Sequence, residues 1–105
     1  RGGRWQLALA LLDSMHEHRV TPDAVSCNAA ISTCGKGGQW QLALALFGSM
    51  ELLRVPPDVI SCSAAISACE GFARWQIALV LLNSMPELRI MPDVISCNAA
   101  ISACE

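Results

Sequence analysis

The chain has 105 residues, 53% of them hydrophobic and 15% charged, with 7 Lys+Arg against 9 Asp+Glu and a formal net charge of −2. The apolar share is enough to fill a core and excludes a disordered tail, while the acidic balance excludes a strongly basic nucleic-acid platform and a polybasic membrane arm. The longest apolar runs stop at Asp23, Lys36, Glu51, Asp58 or Glu70, short of the roughly 18 to 20 residues that a bilayer-crossing helix needs.

Taken in chain order, the first helix signature covers 3–17. A shorter one runs from Ala24 or Val25 to about Cys34. Its Cys27, Ala30, Ile31 and Cys34 form one apolar stripe of small residues, so another helix can approach closely. Gly35-Lys36-Gly37-Gly38 then reads as a Gly-rich stop and turn. A longer helix follows from Gln39 to about Leu52, with Trp40, Ala43, Leu44, Phe47 and Met50 at three- and four-residue steps. Ala and Leu dominate it and no β-branched residue interrupts it. Arg54-Val55-Pro56-Pro57-Asp58 ends that helix, because proline cannot continue it, and Asp58 is placed to N-cap the next one. A short helix at 94–104 closes the chain. No segment alternates with period two, so no sheet is expected.

The signatures recur with a fixed period of 35: Trp5, Trp40, Trp75; Met15, Met50, Met85; Pro22, Pro57, Pro92; Asp23, Asp58, Asp93; Cys27, Cys62, Cys97; Ile31, Ile66, Ile101. Such a period marks a repeat array, and helical periodicity inside each unit selects an all-α solenoid. With the short helix called A and the long one B, the chain reads B, A, B, A, B, A. It divides into a partial repeat 1–23 (helix B and closing loop), complete repeats 24–58 and 59–93, and a partial repeat 94–105 (helix A). A single A–B hairpin cannot bury its own apolar face. Neither end carries a polar capping repeat, and the first residue is Arg1 rather than Met. The chain therefore reads as an internal piece of a longer array, with any targeting peptide outside it.

Six cysteines fall at 27, 34, 62, 69, 97 and 104, as three pairs seven positions apart. Helical residues at that spacing lie roughly 10 Å apart along the axis, beyond the reach of a disulfide. No C-x-x-C occurs, and His16 and His18 are distant from every cysteine in sequence. The cysteines are expected to be reduced, buried, metal-free small apolar residues. The three tryptophans, repeated at the start of helix B, are expected to pack between helices as large buried aromatics.

The unit from Ala24 through Asn28, Ile31, Lys36-Gly37, Ala43-Leu44 and Phe47-x-x-Met50 to Pro57-Asp58 resembles the P-type pentatricopeptide repeat. The resemblance covers the whole chain. It implies a right-handed α-solenoid of helix A–helix B hairpins with a 35-residue period. The tetratricopeptide repeat has a different period, and its tyrosine-bearing core has no counterpart in a chain without Tyr. The departures are Arg19, Arg54 and Arg89 where the family has Gly, Cys27, Cys62 and Cys97 where it has an aromatic, and a turn lysine present only as Lys36, with Gly71 aligned to it.

The resemblance further implies single-stranded RNA as partner, roughly one base per repeat. Val25, Ile60 and Ile95 would sandwich bases. Asn28 with Asp58, and Ser63 with Asp93, would read base edges. Asn98 belongs to the same set, its partner lying beyond Glu105, and Lys36 would meet phosphate. An ionised Asp only accepts hydrogen bonds, which suits the ring N–H of uracil or guanine. Asn fills the space that a pyrimidine leaves and Ser leaves room for a purine, so U is expected at repeat 24–58 and G at repeat 59–93. Each residue also has a plainer reading: the Asp residues as N-caps, Asn28, Ser63 and Asn98 as solvated polar residues, and Val25, Ile60 and Ile95 as core.

Glu70 and Glu105 oppose phosphate on the same face, so two repeats alone should bind weakly. No P-loop, G-x-S-x-G or acidic metal cluster is visible, so no catalysis is expected, and no cofactor, membrane or small-molecule substrate. The reading is an RNA-binding segment serving RNA processing or stability, in a mitochondrion or plastid by family resemblance. The competing readings are a protein-interaction solenoid with a degenerate RNA face, and the RNA-gripping arm of a protein-only RNase P type enzyme.

Overall fold

The computed structural model describes residues 4–70 and 74–104. Every regular segment among them is helical: α1 Arg4–Glu17, α2 Ala24–Lys36, α3 Trp40–Ser49, α4 Val59–Ala68, α5 Trp75–Ser84 and α6 Val94–Ala103, with a 3-10 turn at Pro86–Leu88. Helix starts are set by side chains. Asp23, Asp58 and Asp93 each stand extended and accept the N–H of the serine three residues on, at 3.0, 2.9 and 2.9 Å. Each satisfies a donor that the first turn would otherwise leave bare.

The helix ends differ in two places from the sequence expectation. α2 runs through Gly35 to Lys36, and the break falls at Gly38, whose φ of +77° suits glycine. α3 stops at Ser49, not Leu52, because a left-handed residue closes the turn that follows. That residue is Arg54, and Arg19 and Arg89 repeat it, at φ 60°, 60° and 63°. The N–H groups of Val20, Val55 and Ile90 then bond back to the carbonyls of Met15, Met50 and Met85 at 2.7, 2.9 and 2.9 Å. This is the helix-closing loop usually given to glycine. The chain holds an arginine there three times over, and its stiffer backbone is tolerated because the carbonyls are satisfied.

The hairpins stack in two layers. The A helices α2, α4 and α6 pack directly on one another, and α1, α3 and α5 back them. Two cores result. Cys27, Ile31, Cys34, Ala43, Met50, Val55, Ala65 and Ala68 form the first. Cys62, Ile66, Cys69, Ala78, Met85, Ile90, Ala100 and Ala103 form the second. Every member of the second stands 35 residues after its counterpart in the first, so the solenoid is one packing solution used twice.

Two packing expectations are corrected. Cys27, Cys34, Cys62 and Cys69 are buried, but Cys97 on α6 and Cys104 just after it are exposed, because no described helix covers that face. All six thiols are free. Burial, and secondarily the Asp58 charge, pushes the Cys62 thiol up to about 11, so it packs as an uncharged group at neutral pH. The tryptophans are only partly buried, and Trp75 is 44% exposed. Trp40 packs against the first core, and the Arg74 guanidinium stands 4.9 Å above its ring, a cation–π contact from the next repeat. Among the described residues no such cation stands over Trp75.

Candidate nucleic-acid interface

Stacking A helices edge to edge leaves a groove between α2 and α4 that reaches α6. Asn28 and Lys36 line it from α2, Ile60 and Ser63 from α4, Glu70 from the turn after α4, and Ile95 from α6. Six of the residues singled out by sequence thus share one groove: Asn28, Lys36, Ile60, Ser63, Glu70 and Ile95. Val25, Asp58, Asp93 and Asn98 do not line it, and Glu105 and Gly71 lie outside the described residues. Val25, Ile60 and Ile95 are not core. They are 75%, 61% and 68% exposed, so three aliphatic side chains stand in solvent at matching register positions.

Beneath the groove the two expected read-out pairs differ. The Asn28 amide Nδ2 donates to Asp58 Oδ1 at 3.3 Å, across 30 residues of chain. Asp58 is therefore both the cap of α4 and the partner of α2. Ser61 completes the contact: it is fully buried, its N–H and hydroxyl both face Asp58 Oδ1, and its hydroxyl also donates to the Asn28 carbonyl oxygen. Burial opposes the charge on Asp58. The Ser61 N–H, the Ser61 hydroxyl and the Asn28 amide outweigh it and hold the carboxyl below its ordinary value. Asp23 is also lowered, chiefly by the Ser26 N–H and hydroxyl.

One repeat on, Ser63 occupies the position of Asn28. Its shorter side chain does not bond to Asp93. The Ser63 hydroxyl is buried without a hydrogen-bond partner. Ser96, the counterpart of Ser61, instead donates to the Asp93 backbone carbonyl at 3.0 Å and accepts the Asp93 N–H at 2.9 Å. The second pair is thus open where the first is closed. Ser61 escaped the sequence reading. Its only signal there was its place three residues after a capping Asp, which predicts a local cap and nothing about α2.

Among the described residues no group of three His, Cys, Asp or Glu side chains could hold a metal ion, and no helix is long and apolar enough to cross a membrane.

Residues 22–71 match the sequence model of the PPR repeat family. This stretch is PPR-repeat sequence. The matched stretch contains α2, α3 and α4, and with them the Asn28–Asp58–Ser61 contact and most of the groove. PPR repeats as a family bind RNA, and the A-helix groove described above combines apolar and polar side chains. Among curated proteins, none matches the chain.

Proposed function

We propose that the chain is a sequence-selective single-stranded RNA-binding segment in which each PPR repeat addresses one base. The observation that carries the reading is the groove itself. It sets two polar side chains, Asn28 and Ser63, in register with exposed Ile60 and Ile95. Aliphatic residues held in water at one-repeat spacing give a stack of flat bases an apolar surface to enter, and the polar residues meet the base edges. Asn28 with Asp58 favours U. Ser63 with Asp93 leaves a larger space, and favours G. The segment binds without catalysis, and by family it serves organellar RNA, in a mitochondrion or plastid.

A protein-interaction role is the second reading. Glu70 in the groove and the net charge of −2 favour it, because both repel phosphate. The replacement Ser63→Asn separates the two. It copies the first repeat's residue into the second and leaves charge unchanged. On RNA oligonucleotides varied at one position, the 59–93 repeat should shift from G toward U by a factor corresponding to roughly 1 to 3 kcal/mol. Equal affinity for G and U at that position, in both wild type and variant, would favour the protein-interaction reading.

A further inference from the structure

We infer that Ser61, a residue of the following repeat, is a positioning residue that fixes which atom of Asn28 an RNA base meets. The inference rests on the RNA reading above and goes beyond its pairs. Ser61 is fully buried and does not line the groove, so it acts only through Asn28 and Asp58. Its hydroxyl has one proton. The nearer of its two acceptors is the Asn28 carbonyl oxygen, at 2.5 Å against 2.9 Å for Asp58 Oδ1.

The amide is thereby held at both ends: Oδ1 by Ser61, Nδ2 by Asp58. Turned over, it would set its carbonyl oxygen against a carboxylate oxygen, two acceptors face to face. In the held orientation one Nδ2–H is spent on Asp58 and the other is unspent. Asn28 therefore offers the groove a donor. A base presenting a carbonyl oxygen at that point, as uracil does, accepts it, and the exocyclic amine of adenine does not.

The next repeat supplies its own control. Ser96 caps α6 with the same geometry, yet its hydroxyl turns to the Asp93 backbone and leaves Ser63 untouched. Removing either hydroxyl loses the bond it accepts from the Asp N–H and keeps the N–H cap, and only one removal frees a groove side chain.

The test measures binding of the chain, at low salt, to RNA oligonucleotides with U, C, G or A facing the 24–58 repeat. Wild type should prefer U. Ser61→Ala should reduce that preference by roughly two- to tenfold, the worth of one hydrogen bond. Ser61→Thr should keep it, and Ser96→Ala should leave it unchanged at that position. The Asn28 side-chain amide signals in NMR spectra should move in Ser61→Ala and stay in Ser96→Ala. Should Ser61→Ala fail to fold, Ser61→Cys, with similar shape and a weak donor, makes the same comparison. An unchanged U preference in the folded variant, or an equal loss in Ser96→Ala, overturns the assignment and leaves the RNA reading standing. A wild type without any base preference there overturns both.

Discussion

Among the described residues Asp58 differs from Asp23 and Asp93 in being bonded to a neighbouring helix as well as its own, and its charge state is tied to the folding of two repeats at once. Its carboxyl receives the Ser61 N–H and the Asn28 amide, and the Ser61 hydroxyl stands 2.9 Å from it. These hold the folded value below the ordinary one of about 3.9. A carboxyl lowered on folding adds stability that is complete well above the unfolded value and is lost as pH falls through the folded one. The chain should therefore lose thermal stability progressively as pH falls below about 4. Asp58→Asn keeps a capping oxygen but loses the charge that strengthens its bonds to Ser61 N–H and Asn28, so at pH 7 it should cost about 1 kcal/mol. It should also flatten the acid limb of the stability–pH profile, measured by thermal unfolding from pH 2 to 8. An unchanged acid limb in the variant would mean that Asp58 is not the group whose protonation matters.

Helix-to-helix approach sets the groove, and glycine controls that approach in opposite ways at two positions. Gly35 lies inside α2, where a Cβ would meet the Ala68 Cβ at 3.0 Å and the Ala68 Cα at 3.2 Å. Both atoms are rigid, so α2 and α4 must part. Gly48 lies inside α3, with nothing within 4 Å of such a Cβ. Alanine gains about 0.5 to 1 kcal/mol over glycine within a helix, and overpacking costs typically 1 to 3 kcal/mol. Gly48→Ala should therefore stabilise the chain by up to about 1 kcal/mol. Gly35→Ala should destabilise it by up to about 2 kcal/mol, as overpacking outweighs the helix gain. Two denaturant titrations decide it, and signs that agree would show that the α2–α4 contact is slack. The contrast also marks the limit of what the sequence makes legible. A period of 35 and the Cys27, Ile31, Cys34 stripe specify the helices, their pairing and the shared face of Asn28, Ser63, Ile60 and Ile95. Gly35 reads as a turn residue because its partner, Ala68, is 33 positions away and invisible to local pattern. Ser61 is hidden for the same reason: its local role as a cap is complete without Asn28. Trp75 reads as buried because Trp40 and Trp5 share its position, although burial there depends on what the neighbouring repeat lays over the ring.

The distribution of charge across the solenoid decides how RNA would be held. Among the described residues the groove has one cation, Lys36, and one anion, Glu70. The arginines of the closing loops, Arg19, Arg54 and Arg89, are exposed at one-repeat spacing and do not line it. Affinity for single strands falls with salt by about 0.7 in log–log slope for each phosphate neutralised. Binding through the groove should therefore show a shallow slope, about −1 or weaker, with base stacking supplying what affinity there is. Glu70→Gln removes the opposing charge without adding a donor of positive charge. It should raise affinity at low salt and leave base preference unchanged, because Glu70 belongs to neither read-out pair. Fluorescence anisotropy of labelled RNA across a salt series measures both. A slope of about −2 or steeper would mean that about three cations hold phosphate. Only the arginine row offers that many at regular spacing, so such a result, with Glu70→Gln silent, would move the RNA path from the A-helix groove to the closing-loop edge.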